Sequence, residues 1–487
     1  MKFDFDTINT LLKGECYNFN GSEFFTFLNI AKPSGDLLEQ IDTSNELYFT
    51  VYETDYSKEG WYDTNFDRRQ YIDTVLSHRK DISVITDNKQ ILERYKASRK
   101  IMYVPSLPHA INKLYTYTLN KVKPKVAALT GSVGKTTGTV LLENILNSNQ
   151  SILRLYSKRI TPLNLRSMVV NFLEEKHNFI ALEMSMNRKN HIQKLVEILP
   201  PDYAAILNIT TAHIGSQDIH NQNDIWESKK SIFKEVRQPI LNIDYPIMEK
   251  HKKEFPNALS FGINKEKNPD LLGKVENNKL QIWHKKKLLL ECSPYILTEL
   301  SVYQILASTS IALQAKLSIE NIRQGINSFT PKEHRILSYN NNNHKVIFDG
   351  DITLSARLKE LANNFYSPTT LIISNLYTHN GNDTPSNIEI QKQELADAFN
   401  KFGRVLVSDN IRDILLDKKL QKFQTFSPKD LEKMIKEQSH TYFIHHSVFF
   451  RNNIPEQKNG AYHELSFILN QFEKNSLFNR KLINKER

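Results

Sequence analysis

The chain has little of several residue types, and each shortage excludes a class of protein. Among 487 residues there are only two cysteines, Cys16 and Cys292, far apart in the sequence. Neither a disulfide framework nor a cysteine-ligated metal site is therefore expected. No apolar run is long enough to cross a bilayer, and residues 1–6 lack the basic-then-apolar order of a signal peptide. We therefore expect a cytoplasmic protein.

The charge is unbalanced, but it is not gathered into one segment. The net charge is +10 and the sequence pI is about 9.1, with lysine and arginine spread along the chain. Such a balance favours small anionic substrates. No nucleic-acid recognition motif is present, so no nucleic-acid partner is expected. The three lysines at 285–287 lie between two apolar segments and are interpreted as the charged turn of a hairpin.

Glycine is also scarce, at 15 residues, which makes two glycines in one short segment informative. An apolar strand pattern at 126–129 precedes this segment, and a helical pattern at 139–146 follows it. Strand, glycine loop, Lys-Thr and helix in this order predict a phosphate-binding loop. Lys135 would reach the outer phosphates of a nucleotide, and Thr136 would ligate Mg²⁺. The predicted nucleotide-binding residues of the loop are Thr130, Gly131, Ser132, Val133, Gly134, Lys135, Thr136 and Thr137.

The spacing of this loop narrows the class of nucleotide site. A general Walker loop has a glycine where this chain has Leu129, so the loop is the shorter Gly-x-x-Gly-Lys-Thr-Thr form. This form resembles the Mur ligase family, ATP-dependent enzymes that join a carboxylate to an amine. A strand pattern at 179–182 ends in Glu183, where the resemblance implies a ligand for Mg²⁺ together with Thr136.

A second strand pattern at 203–207 leads into an Asn-Ile, Ala-His and Gly-Ser run at 208–216, which looks most like the D-alanyl-D-alanine-adding branch of the family. The resemblance implies a carbamylated lysine in the next helix, which ligates a second Mg²⁺ together with His213. Lys229 aligns with that lysine, and Lys135, Lys229 and His213 are the predicted catalytic residues. Lys230 is the alternative, although one residue along a helix points about 100° elsewhere.

The resemblance weakens outside the central segment. Thr161 and Asn164 match a Thr-x-x-Asn substrate loop, and Arg335 matches an arginine at the domain joint. The remaining predicted positions are Gln304 on the adenine side, Asp349 at a strand end for the nucleotide, and Ser355 for the substrate. The family's Asp-Ser-Arg signature for uridine diphosphate is missing from the first domain. The nearest basic pair there, Arg68 and Arg69, is more simply interpreted as solvated.

Length and pattern predict an α/β protein of three domains, at roughly 150 residues per domain. The predicted domains are an N-terminal substrate-binding domain at 1–120, a central ATP-binding domain with a parallel sheet at 121–330, and a C-terminal α/β domain at 331–487. The third has a βαβ pattern of dinucleotide-fold type. It lacks a Gly-x-Gly-x-x-Gly motif, so no dinucleotide cofactor is implied.

Retained ATP chemistry beside altered outer domains predicts an ADP-forming amide ligase with a changed acceptor. ATP and Mg²⁺ are the expected cofactors, and the partners are a small carboxylate and an amine, either of which can be nucleotide-linked or peptide. Three alternatives remain. They are D-alanyl-D-alanine addition to a muramyl peptide, polyglutamate-type peptide ligation, and a non-catalytic ATP-binding regulator.

Overall fold

The computed structural model describes most of the chain up to residue 445. The described residues are 3–31, 35–52, 67–79, 81–155, 160–186, 188–212, 214–215, 218–331, 337–341, 344–349, 355–373, 385–408, 424–426 and 440–445. Three larger sheets, each flanked by helices, organise these residues. The predicted α/β fold class is confirmed. Each sheet falls within one of the three predicted domains, whose boundaries stay predictions.

The first sheet has five strands in the order β2-β7-β6-β5-β4, parallel except for the β2–β7 pair. A two-stranded antiparallel ribbon joins β1 to β3, and a 3₁₀ turn covers Gly35–Gln40. The elements are β1 (Phe3–Asp4), α1 (Phe5–Leu12), β2 (Glu15–Tyr17), β3 (Phe24–Phe25), β4 (Phe27–Asn29), β5 (Glu46–Phe49), α2 (Ile72–His78), β6 (Ser83–Thr86), α3 (Lys89–Tyr95), β7 (Ile101–Tyr103) and α4 (Leu107–Val122).

The second sheet has nine strands in the order β16-β15-β14-β13-β12-β11-β8-β10-β9. Strands β8 to β14 are parallel, and β14, β15 and β16 form an antiparallel meander. The strands are β8 (Lys125–Thr130), β9 (Ile152–Leu155), β10 (Phe179–Glu183), β11 (Tyr203–Ile206), β12 (Ile240–Asn242), β13 (Leu259–Gly262), β14 (Leu271–Glu276), β15 (Lys279–His284) and β16 (Lys287–Cys292). The helices are α5 (Lys135–Leu146), α6 (Pro162–Phe172), α7 (His191–Ile198), α8 (Gln222–Lys230), α9 (Pro246–His251), α10 (Glu299–Gln314) and α11 (Ile319–Asn327), with 3₁₀ turns at Ser231–Phe233, Lys252–Glu254 and Lys265–Lys267.

Strand β8 is buried on both faces, as parallel strands between helical layers are. Val126 and Ala128 join the core that includes α6 and α7, whereas Ala127 and Leu129 join the core that includes α5, α10 and α11. The continuous apolar run therefore predicts a strand with no solvent face. The loop that follows β8 leaves the sheet at the carboxyl ends of the parallel strands.

The third sheet has the order β17-β18-β22-β19-β20-β21, parallel except for the β17–β18 pair. The late strand β22 separates β18 from β19, which the βαβ pattern alone does not predict. The elements are β17 (Leu337–Asn341), β18 (His344–Asp349), α12 (Ser355–Ala362), β19 (Thr369–Ile373), α13 (Pro385–Lys401), β20 (Arg404–Ser408), β21 (Gln424–Phe426) and β22 (His440–His445).

Side chains link the three sheets at identifiable contacts. Asn171 of α6 bonds both the backbone N–H and the carbonyl of Leu28, at 2.8 and 2.9 Å. The Tyr245 hydroxyl, at the start of α9, donates to Glu360 Oε2 of α12 at 2.6 Å. The contact between Tyr245 and Glu360 joins the helices that cover the central sheet to the helices that cover the third sheet. In the described part of the chain, no helix is long and apolar enough to span a membrane.

Candidate nucleotide-binding site

The glycine loop lies between β8 and α5, where the sequence predicts it. Gly134 is the N-cap of α5 with a φ of +79°, and no side chain caps the helix. A β-carbon at Gly134 would lie 2.7 Å from Gln304 Nε2 and 2.8 Å from Leu300 Cδ1. Glycine is therefore required both for its conformation and for space. The first N–H groups of α5 remain available to an anion at the positive end of the helix dipole.

Asn208 fixes the shape of the loop from the end of the neighbouring strand β11. Its side-chain oxygen accepts from the N–H groups of Ser132 and Val133 at 2.8 and 2.9 Å, and its amide nitrogen donates to the Val133 carbonyl at 3.0 Å. Asn208 is completely buried, so these bonds have no competition from water. Asn208 is not among the site residues predicted from the sequence. The available signal was its position directly after a strand pattern, at the start of the Asn-Ile, Ala-His and Gly-Ser run.

Gln304 of α10 fixes the other end of the loop. Its side-chain amide donates to the Gly134 carbonyl at 2.7 Å, and the residue is buried. Thr298 and Ser301 form a capping box at the start of α10, which sets the register of the helix. The predicted adenine-side residue therefore contacts the phosphate loop itself.

Thr136 and Glu183 form the oxygen-rich part of the site. The Thr136 hydroxyl donates to Glu183 Oε2 at 2.7 Å, and the two residues are 5% and 2% exposed. They meet because β10 pairs in parallel with β8, which brings both strand ends to one edge of the sheet. Glu183 is thus a buried acid, whereas its position in sequence alone fits a surface strand end.

This pair fits a magnesium ion that also binds nucleotide phosphates. Hydroxyl and carboxylate oxygens are ligands that Mg²⁺ prefers, and Mg²⁺ sites of nucleotides use few protein ligands. Two nearby hydroxyls, Thr130 Oγ1 and Ser185 Oγ, are buried without a hydrogen-bond partner. Buried polar atoms of this kind indicate a missing ligand or water. Among the described residues, no group of three or more His, Cys, Asp and Glu side chains forms a metal cluster by itself.

Two lysine ammonium groups bond carbonyls of the loop. Lys135 Nζ donates to the Ser132 carbonyl at 3.2 Å, and Lys229 Nζ donates to the Gly131 carbonyl at 2.9 Å. Lys229 is fully buried. Burial lowers the pKa of the Lys229 ammonium well below its usual range, the charge of Lys135 acts in the same direction, and Glu183 opposes them. A neutral amine at position 229 is therefore favoured.

The structure separates Lys229 from the alternative Lys230. Lys230 lies at the surface, where its ammonium bonds Glu227 at 2.8 Å and Glu254 at 3.3 Å. These ion pairs raise the pKa of Lys230, Glu227 first among them. Of the two lysines, Lys229 is the one that reaches the phosphate loop.

The predicted substrate residues lie on α6. Thr161 is the N-cap of this helix and accepts from the Asn164 N–H at 3.1 Å, and Asn164 is buried. The same helix carries Asn171, which bonds the N-terminal strand β4. Thr161 and Asn164 therefore lie on the helix that joins the central sheet to the first domain.

The remaining predicted residues are only partly described. Asp349 is buried at the end of β18, and Ser355 is the first residue of α12. His213 and Arg335 lie outside the described residues. Thr211, two residues before His213, donates a hydrogen bond to Glu394 of α13. Thr211 therefore contacts the C-terminal domain.

A parallel sheet with a glycine loop, a lysine, and a hydroxyl–carboxylate pair at one edge defines a P-loop nucleotide-binding protein. Comparison with known proteins identifies which kind. Residues 129–312 match the Mur ligase middle domain family. The predicted resemblance to the Mur ligases is thereby confirmed for this segment, which is similar to the Mur ligase middle domain.

Individual relatives agree with this assignment. A UDP-N-acetylmuramoyl-tripeptide–D-alanyl-D-alanine ligase from Rickettsia prowazekii is 31% identical over 137 residues, 28% of this chain and 29% of the relative. A UDP-N-acetylmuramoylalanine–D-glutamate ligase from Fusobacterium nucleatum is 28% identical over 246 residues, 49% of this chain and 53% of the relative. The chain thus aligns with about half or less of the length of these curated relatives.

Solved structures show the same fold over nearly the whole chain. MurF from Acinetobacter baumannii superposes with a TM-score of 0.69 and 16% identity, covering 97% of this chain and 99% of the other. MurF ligase from Thermotoga maritima in complex with ADP gives a TM-score of 0.67 and 18% identity, covering 92% and 98%. At this identity the likeness shows the fold. The chain therefore shares the fold of these multi-domain structures.

Proposed function

We propose that the protein is an ADP-forming ligase that joins a substrate carboxylate to an amine. The observation that carries this proposal is the buried cluster in which Lys135, Lys229, Thr136 and Glu183 meet around one phosphate loop. Three of these residues are nearly or fully buried. Burying ionisable groups such as Lys229 and Glu183 costs free energy unless they are paired. Ionisable groups buried in this way are concentrated at functional sites.

In the proposed reaction the substrate carboxylate attacks the γ-phosphorus of ATP, and ADP leaves. The amine then attacks the acyl phosphate, loses a proton, and displaces inorganic phosphate to leave an amide. Lys135 and the N–H groups at the start of α5 stabilise negative charge on the transferred phosphoryl group. Thr136 and Glu183 would hold Mg²⁺, which would neutralise charge on the phosphate oxygens.

Lys229 has a different proposed role from Lys135. The lowered pKa of Lys229 favours the neutral amine, which is the form that takes up CO₂ to become a carbamate. A carbamate at this position would replace the amine by an anionic oxygen ligand, in accord with the Mur resemblance. We propose that it acts with His213 as ligand of a second Mg²⁺.

The N-terminal domain supports a changed acceptor. Arg68 donates to the carbonyl and the side-chain oxygen of Asn29 at 2.7 and 2.9 Å, and its guanidinium lies over the Tyr48 ring. Arg69 pairs with Asp87 at 2.8 Å. The pair that the sequence suggests to be solvated is therefore engaged within the domain. It is the segment most similar to a pyrophosphate site there, and its guanidinium groups already have partners. We propose an acceptor other than a UDP-muramyl peptide.

Addition of D-alanyl-D-alanine to a UDP-muramyl tripeptide is the second candidate. It is favoured by the similarity to the Rickettsia ligase that carries this name. Calorimetry with a UDP-muramyl tripeptide distinguishes the two candidates. The proposed function predicts weak or absent binding. Micromolar binding together with ADP release that depends on D-alanyl-D-alanine would establish the second candidate instead.

The general activity is tested by supplying pools of carboxylates and amines with ATP, measuring ADP release, and identifying the products by mass spectrometry. An amide product with one ADP per bond supports the ligase. A product lengthened by repeated addition of one amino acid would indicate polyglutamate-type ligation. ATP binding without ADP release in any pool would favour the non-catalytic regulator.

A further inference from the structure

A cavity lies on the central domain, away from the phosphate loop. It has a volume of about 390 Å³, within the size range of small-molecule sites. Strand β14, which contributes to its lining, is four strands from β8, or roughly 19 Å at about 4.8 Å per strand. We refer to it as the lysine cavity, after its lining residues Lys265, Lys274, Lys285 and Lys286.

The lysine cavity lies on the sheet face opposite α10. Gly273 of β14 faces α10, because a β-carbon there would lie 2.9 Å from Val302 Cγ1. Side chains alternate along a strand, so Leu272 and Lys274 point to the other face. Both residues line the cavity. The cavity therefore lies on the face of the meander away from α10, the helix whose Gln304 contacts the phosphate loop.

The four cavity lysines differ from neighbouring lysines in their ion pairs within the described residues. In the described part of the structure, none of the four forms an ion pair with a carboxylate, whereas their neighbours Lys267 and Lys279 pair with Glu249 and Glu291 at 2.7 and 2.8 Å. One acid lines the cavity, and Asp270 Oδ2 accepts from the N–H and hydroxyl of Ser260 at 2.8 and 2.6 Å. Four cations around one concavity concentrate positive potential there.

Trp283 gives the cavity a rigid wall. Lys274 Nζ lies 4.7 Å from the centroid of the indole ring. A cation over an aromatic face is attracted to the ring without losing its charge. The contact therefore restrains the Lys274 ammonium at the cavity while leaving its charge available to an anion.

The turn at Lys285 and Lys286 has a backbone conformation that lysine does not favour. The meander contains two turns with left-handed residues: Asn277 and Asn278 at φ of 50° and 58°, and Lys285 and Lys286 at φ of 46° and 67°. Asparagine tolerates this conformation well, whereas lysine does so poorly. The second turn keeps two lysines where asparagine would fold more easily. Replacing these two lysines by asparagine would therefore remove two charges without a conformational cost.

We propose that the lysine cavity binds a compact polyanion of the diphosphate class. Several ammonium groups that approach from separate elements suit an anion with more than one phosphate. The proposal does not depend on the proposed ligase activity, because no cavity residue belongs to the nucleotide site.

Titration calorimetry with inorganic pyrophosphate tests the proposal in the full chain. Lys135→Ala serves as the parent protein, since it weakens binding of the probe at the phosphate loop. Adding Lys285→Asn and Lys286→Asn removes two cavity charges and gives this turn the residues of the Asn277–Asn278 turn. We expect pyrophosphate affinity to fall at least tenfold, while the melting temperature stays equal or rises.

Lys287→Asn is the control, because it removes one lysine charge by the same substitution, one residue further along and outside the cavity lining. It should change affinity by less than twofold. Equal affinity in the parent and the turn variant, or no binding to the parent, would overturn the proposal. Binding to anionic phosphatidylglycerol vesicles that requires Lys285 and Lys286, without pyrophosphate binding, would assign the surface to membranes and overturn it too.

Discussion

Replacing Glu360 with glutamine tests the buried contact between the central and C-terminal domains. Glu360 is 7% exposed and accepts a hydrogen bond from the Tyr245 hydroxyl. Burial raises the pKa of Glu360 from 4.5 to about 7; the Tyr245 hydrogen bond lowers it, and Glu299 raises it. Glutamine keeps the size and a hydrogen-bonding oxygen but cannot ionise.

The sign and size of the effect follow from linkage between ionisation and folding. The folded pKa lies above the unfolded value, so the associated stability is fully present below pH 4.5 and is lost as pH rises to about 7. A shift of this size corresponds to roughly 3 kcal/mol at about 1.4 kcal/mol per pKa unit. Relative to Glu360→Gln, the native protein should lose this stability between the two pH values.

Thermal unfolding of both proteins at several pH values between 4 and 8.5 measures the difference. We expect the melting temperature of Glu360→Gln to rise above that of the native protein by several degrees on going from acid to pH 8. Tyr245→Phe is an internal control: it removes a contact that lowers the pKa of Glu360, so the transition should move to higher pH. Parallel pH profiles for the native protein and Glu360→Gln would refute the reasoning.

The remaining predictions concern the phosphate loop. Lys135→Ala should reduce ATP turnover by orders of magnitude with an unchanged circular dichroism spectrum, because the transferred phosphoryl group loses its cation; retained turnover in the folded variant contradicts the assignment. Lys229→Ala should lose activity that a short-chain carboxylate partly restores, and native activity should fall when CO₂ is removed; an active enzyme whose intact mass shows no carbamate refutes the modification. Asn208→Ala leaves the buried Val133 N–H of the loop without its acceptor, at about 1–3 kcal/mol, and leaves the Ser132 N–H with only the backbone carbonyl of residue 208 at 3.1 Å, so the KM for ATP should rise about tenfold, and an unchanged KM would exclude a positioning role.

Much of the central domain could be predicted from local sequence. The apolar run of β8, the glycines and the helical pattern of α5 are neighbours along the chain, so their order is sufficient to predict strand, loop and helix. The structure has α5 at Lys135–Leu146, which includes the helix predicted at 139–146. The hairpin turn is also confirmed, with Lys285 and Lys286 between β15 and β16.

Contacts between distant segments could not be predicted in the same way. Asn208 reaches the loop because β11 pairs in parallel with β8, and strand order is not written in either strand's own sequence. Likewise, β22 lies between β18 and β19 although it follows both in the chain. Pairing of this kind depends on which surfaces remain to be buried after the other elements have packed.

The sequence by itself determined the class of site, because a phosphate loop needs only a strand, two glycines, Lys-Thr and a helix in consecutive order. The tertiary structure decided which charged groups are buried there. Lys229 and Lys230 are adjacent and chemically identical, yet helix α8 buries one beside the loop and leaves the other at the surface. The electrostatic environment of a side chain depends on everything packed around it, and neighbours in space are fixed only when the chain has folded.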